Sequence, residues 1–103
     1  MKKEKYIQPN GEILIKEFHK DGLISYRNMD NKLHRTDGGP AVDSKNNSSW
    51  WFKGELHRED GPATIDKHGF EEVHRFYLYD TEYTKDEYDQ LVLKLKLDRL
   101  KKL

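Results

Sequence analysis

Two dipeptides offer the most chemistry in this chain, His34-Arg35 and His57-Arg58. An imidazole can act as a general base or a metal ligand. Here each is followed by a guanidinium, whose fixed positive charge works against a nearby cation. Both dipeptides also hold the same place in a repeated phrase. A repeated contact, such as His or Arg with the Asp of a neighbouring turn, therefore explains them before catalysis does. His74-Arg75 is a further copy, out of register, while His19 and His68 fall in turns and read as solvent-facing. Ser48 and Ser49 lack the strained Gly-x-Ser-x-Gly elbow of a nucleophile. With 19 Asp and Glu in the chain, some carboxylates must lie close together, but no spacing selects a glycosidase pair. Gly38-Gly39 is followed by neither a helix nor Lys-Ser/Thr, so it is no phosphate loop. Cysteine is absent, which removes disulfides and thiolate metal sites. The expectation is a protein that is not an enzyme, with no catalytic, metal or cofactor site.

The elements that position these residues follow from the phrase itself. It reads Leu33-His34-Arg35-Thr36-Asp37-Gly38-Gly39-Pro40-Ala41 and then Leu56-His57-Arg58-Glu59-Asp60-Gly61-Pro62-Ala63, with Gly39 taken as the extra residue of the first copy. A period of roughly 20 residues is the mark of a repeat architecture. Asp before Gly suits a tight turn, and Pro, lacking an N–H, suits a strand start or edge. Each phrase thus reads as a strand end, a sharp turn and the start of the next strand. Turn signals at Pro9-Asn10-Gly11, His19-Lys20-Asp21-Gly22, Asp30-Asn31, Lys53-Gly54 and Asp66-Lys67-His68-Gly69 separate further extended runs. Residues 48–53 form an aromatic strand with Trp50 and Phe52 on one face and Trp51 on the other. On residues 70–79, Phe76 and Leu78 share one face, and Val73, Tyr77 and Tyr79 the other. A degenerate third unit follows, in which Asp80 falls on Gly54 and Tyr83 on His57.

The period then changes. Thr84-Lys85-Asp86-Glu87 is a capping box, and no Gly or Pro interrupts residues 84–103, which predicts a helix. At 100° per residue Tyr88, Leu91, Val92 and Leu95 form one apolar stripe, while Leu93, Leu97 and Leu100 form a second, roughly opposite. One stripe is enough to dock on a sheet; the second needs either a wrapping sheet or a partner. The expected fold is mainly β with one C-terminal helix (α+β): a single twisted antiparallel meander of β-hairpin repeats capped by the helix. It forms one domain with a polar lead-in over residues 1–5, repeats over 6–83 and the helix over 84–103.

The Leu-His-Arg-x-Asp-Gly-Pro-Ala phrases, with an aromatic strand and a Gly turn before them, resemble MORN-like (MORN-variant) repeats over about residues 22–90. Tyr83-Thr84-Lys85-Asp86-Glu87-Tyr88 is similar to the helical cap that closes such arrays. The resemblance implies a scaffold or binding protein of phage or bacterial origin. A phage accessory protein that blocks a host defence complex, as an anti-CRISPR does, is the form it suggests. The family's better-known arrays also have membrane-lipid partners.

Three functional readings follow. The favoured one is protein binding, to a host complex, to a second copy, or to both. The contact residues expected are Leu93, Leu97 and Leu100 on the helix and an aromatic-plus-Arg patch of Trp51, Arg58 and Tyr77, since aromatics and Arg anchor interfaces. The second is nucleic-acid binding by strand aromatics with Arg35, Arg58, Arg75 and Lys53. Against it, Lys and Arg only balance Asp and Glu, 19 against 19, whereas dedicated nucleic-acid domains carry a basic excess. The third is membrane-surface binding by the basic, leucine-rich helix. No run approaches the ~20 apolar residues of a membrane span, and the N-terminus lacks a signal-peptide core. A cytoplasmic location is therefore expected.

Overall fold

In the computed structural model, which describes residues 1–102, the chain is mainly antiparallel β with one C-terminal helix. The main sheet is a meander of β1 (Lys2–Ile7), β2 (Ile13–Phe18), β3 (Ile24–Arg27), β4 (Val42–Asp43), β5 (Asn47–Ser49), β8 (Thr64–His68), β9 (Glu71–Leu78) and β10 (Thr81–Tyr83). Between β5 and β8 the chain makes a separate two-stranded ribbon of β6 (Trp51–Phe52) and β7 (Glu55–Leu56). Helix α1 spans Lys85–Lys101. Leu103, the end of the expected helix, lies outside the described residues. The principal extents of 43 × 38 × 19 Å are those of a thin slab.

Several element boundaries differ from expectation. β8 runs on through Asp66, Lys67 and His68, so the turn expected there falls at Gly69-Phe70, and β9 stops at Leu78, which leaves Tyr79 in the next turn and not on a strand face. Residues 2–5, expected as a lead-in, are the first four residues of β1, paired in register from Lys2↔Phe18 to Lys5↔Ile15. Their charges do not prevent pairing because the strand lies at the sheet edge, where Lys is well tolerated. The aromatic strand is split at Trp50. Its N–H donates to Ala63 of the main sheet (2.8 Å), while its carbonyl accepts from His57 of the ribbon (3.0 Å).

The hairpin turns follow local chemistry. Lys53 and Gly54 have φ of 48° and 85°, and Tyr79 and Asp80 have φ of 47° and 70°. Each pair links strands as a two-residue turn, in which both central residues are left-handed. Asp80 thus does the conformational work of Gly54.

The core is small. Helix α1 begins at Thr84 with both halves of its capping box formed, and it lays Tyr88 and Val92 against Leu78. Phe76, Tyr83, Leu91 and Leu95 pack around them. The first apolar stripe is therefore the docked one, on the Phe76/Leu78 face of β9.

Candidate interaction surfaces

The two phrases make the same contacts twice. His34, 1% exposed, accepts the Lys53 N–H on Nδ1 (3.0 Å) and lies 3.0 Å from Glu12 through Nε2. His57 accepts the Tyr79 N–H on Nδ1 (3.0 Å) and meets Glu59 at 2.9 Å. An accepting Nδ1 fixes the hydrogen on Nε2. Each imidazole therefore ties the next hairpin turn to its own strand. His57 also stacks on Tyr79, with centroids 4.0 Å apart.

The arginines brace their own loops. Arg35 donates to Asp37 (2.6 Å) and to the Pro40 carbonyl (3.1 Å); Arg58 donates to Asp60 and to the Pro62 carbonyl, both at 3.1 Å. Their flat faces lie over Tyr26 (4.2 Å) and Trp50 (3.9 Å). A Cβ on Gly39 would fall 2.4 Å from the Arg35 guanidinium carbon, and one on Gly61 would fall 2.9 Å from that of Arg58. Gly39 is therefore the counterpart of Gly61. The inserted residue of the first copy is Gly38, which has open space around it and φ +98°. Sequence spacing alone could not choose between the two glycines.

A tyrosine closes each loop from outside the repeat. Tyr6 of β1 donates to Asp37. Tyr88 of α1 reaches the Arg58 carbonyl (2.5 Å) and the Gly61 carbonyl (2.9 Å), and accepts from the Gly61 N–H (3.2 Å).

Burial pushes the Asp37 carboxyl up, but Tyr6, Arg35 and the Gly39 N–H outweigh it and hold the group below the usual carboxylate range. Glu17 behaves alike: burial raises it, and Ser25, Arg27 and Lys3 together bring it below its ordinary value. Depressed carboxyls contribute stability that is complete above the unfolded pKa, about 4, and is lost as pH falls through the folded value. We expect the contribution of these carboxylates to the melting temperature to be lost below about pH 4. Asp37→Asn should flatten that acid limb in a series of thermal melts.

His19 is not solvent-facing as expected. It is half-buried, and its Nε2 lies 2.9 Å from Ser25 Oγ, which in turn donates to Glu17 (2.8 Å). This relay runs opposite to a nucleophilic triad, in which the imidazole takes the hydroxyl proton, and Ser25 is only 2% exposed. His74 is exposed and pairs with Glu72. Among the described residues no group of three or more His, Cys, Asp or Glu could hold a metal ion, and no helix is long and apolar enough to cross a membrane.

The residues expected to bind a partner divide into two sets. Leu93, Leu97 and Leu100 are 58%, 48% and 63% exposed and form one continuous outer stripe of α1. Trp51, Arg58 and Tyr77 are all half-buried and do not assemble as a patch. Arg58 turns its guanidinium to Trp50, whose neighbour Trp51 donates the other way, to Ser49 Oγ (2.8 Å). The Arg58 backbone meets Tyr77, its N–H donating to the Tyr77 carbonyl at 3.3 Å. The loop bonds of Arg58 to Asp60 and the Pro62 carbonyl aim its guanidinium at Trp50 and not at Trp51.

A cleft of about 360 Å³ lies between the phrases, floored by Trp50 and Phe52 and walled by His57, Tyr79 and Arg99. Sequence reasoning missed it. The echo in the sequence places the two loops side by side, but nothing in it brings Arg99 to Glu59, where the guanidinium makes two bonds of 2.5 and 2.8 Å. Those bonds, ahead of burial and His57, govern Glu59 and hold its carboxyl below the usual range. Each guanidinium lining the cleft already has a carboxylate partner, so the site suits a planar or apolar group better than a phosphate. Comparison with protein-family models, curated proteins and solved structures returns no match.

Proposed function

We propose that this chain is a non-enzymatic protein-binding module of the MORN-like type, working in the cytoplasm, with the outer stripe of α1 as its contact. The carrying observation is that stripe. One side of the helix is docked through Tyr88 and Val92, while Leu93, Leu97 and Leu100 face solvent at 58%, 48% and 63%. Contiguous exposed apolar residues on an otherwise charged helix mark an interaction site. The partner we propose is a host protein complex, bound by a phage-encoded chain; the repeat resemblance alone supports that origin. The nucleic-acid reading draws less support, because Arg58 covers the Trp50 face that a base would need.

The test is a pull-down from the natural host with wild type and Leu97→Glu, together with light scattering at two concentrations. Because Leu97 is 48% exposed, the substitution should change stability by no more than about 0.5 kcal/mol. Recovery of the partner, or the dimer fraction, should fall at least about tenfold, the loss expected for a charge set into an apolar contact. Equal recovery by both versions would remove the stripe from the account. Steeply salt-dependent binding to nucleic acid would replace the reading altogether.

A further inference from the structure

The repeat contacts stop one unit short of what the chain can offer. The Leu33 carbonyl accepts the Gly54 N–H of the next hairpin turn at 2.8 Å. The Leu56 carbonyl accepts the Asp80 N–H at 2.8 Å, and Asp80 Oδ1 takes the Leu56 N–H at 2.7 Å. Each unit thus offers the outward backbone of one residue to the turn that follows. In the third unit that residue is Glu82, since Tyr83 stands where His57 stands in the second.

The Glu82 backbone is free to play this part. The turn Tyr79-Asp80 joins Leu78 to Thr81, and in a two-residue hairpin this closing pair takes the cross-strand bonds. The next pair, Glu82↔Tyr77, directs its backbone outward. Consistent with this, the Tyr77 carbonyl turns away from β10 to accept from Arg58. Thr84 occupies the place of Arg58, but its N–H is diverted into the helix cap, to Glu87 Oε1 at 3.0 Å. The helix leaves the sheet there, and β10 remains the edge of the sheet.

Beside that edge runs a groove of about 420 Å³ between β10 and α1, lined by Leu78, Tyr83, Leu91 and Leu95, with Lys94 and Asp98 at its mouth. An unpaired strand edge next to an apolar groove is a known arrangement for taking up an extended segment. We propose that β10 and this groove receive the tip of a β-hairpin from a partner protein. Its turn residues adopt the left-handed conformation of Tyr79-Asp80, one N–H bonds the Glu82 carbonyl, a turn carboxylate takes the Glu82 N–H as Asp80 takes that of Leu56, and an apolar side chain enters between Tyr83 and Leu95. The occupant is inferred from the two internal contacts, which show twice what this chain places on such an edge. The proposal rests on the protein-binding reading for the class of partner, but it uses a surface separate from the leucine stripe.

The test uses a head-to-tail cyclised hairpin peptide carrying Phe76–Tyr83, the turn that fills the Leu56 edge within the chain. It is titrated into the ¹⁵N-labelled full chain and followed by amide chemical shifts. Shifts are expected at Glu82, Tyr83, Leu91 and Leu95, with no change in affinity for Leu97→Glu. Glu82→Pro removes an outward N–H at an edge position where proline is tolerated and should weaken binding about tenfold. If that variant disturbs the hairpin, Lys94→Trp, which closes the groove mouth from an exposed helix position, makes the same comparison. No shift up to the solubility limit, shifts elsewhere, or equal binding by the blocked variant would overturn the proposal. So would concentration-dependent shifts at Glu82 without peptide, which would give the edge to a second copy. A failed Leu97→Glu pull-down would leave this result intact, and a failed titration would leave the stripe intact.

Discussion

Replacing His34 by alanine is expected to destabilise the fold by about 3 kcal/mol, combining a core cavity with lost hydrogen bonds. The imidazole is 1% exposed, lies 5.2 Å from the Phe52 ring, and holds both the Lys53 N–H and Glu12. Alanine vacates that space, releases the Lys53 N–H of the β6–β7 turn and leaves Glu12 with the Gln8 amide as its remaining side-chain donor. His34→Asn separates the contributions. Its Oδ1 can stand in for Nδ1 toward Lys53 but cannot reach Glu12, so roughly half of the loss should return. Urea unfolding of the three proteins measures both steps. A loss below about 0.5 kcal/mol for His34→Ala would place the residue among ordinary surface positions and contradict its role.

The second large effect falls on Tyr88. Tyr88→Ala is expected to cost about 4 kcal/mol, in the range for removing a buried aromatic ring. The ring is 3% exposed, touches Phe76 at 4.9 Å and sits at the centre of the small cluster that docks the helix. Its hydroxyl also closes the second loop through Arg58 and Gly61. Tyr88→Phe keeps the ring and removes only that closure, at about 1–2 kcal/mol. The two variants should differ in kind as well as size. The alanine variant should lose amide protection across α1, because the helix undocks. The phenylalanine variant should lose it only around residues 58–62. Hydrogen exchange reads both patterns. Equal loss in the two would mean that the hydroxyl, not the ring, holds the helix down.

These effects show where the sequence was legible. The capping box at Thr84 and the two helix stripes can be read from residue type and period, because a helix projects its side chains at fixed angles. The turn at Lys53-Gly54 is legible for a similar local reason, and the match of Asp80 to Gly54 survives in their shared left-handed geometry, but Tyr79, expected to extend the strand, is instead the first residue of that turn. What could not be read depends on the path of the chain between elements. The strand break at Trp50 arises because its N–H and its carbonyl serve two different sheets. The polar N-terminal residues pair because β2 offers them an edge, not because of their own propensity. The expected Trp51–Arg58–Tyr77 patch failed to assemble because a guanidinium on a loop can choose either neighbouring indole, and the loop bonds to Asp60 and Pro62 aim it at Trp50. His19 was misplaced because its turn folds back onto Ser25.

The repeated phrase, the most chemistry-rich stretch of the chain, is thus taken up by the fold. Its histidines tie turns, its arginines brace loops, and its glycines make room for them. The leucine stripe and the β10 edge are among the surfaces that remain exposed, and function is sought there. The most direct test of this division is the tautomer of His34 and His57, read from long-range ¹H–¹⁵N correlations of the imidazole rings near neutral pH. Both rings should carry hydrogen on Nε2 alone, with Nδ1 showing the shift of a hydrogen-bond acceptor. A ring protonated on Nδ1, or one averaging freely between tautomers, would mean that the phrase is not consumed by the structure and that its histidines are open for other work.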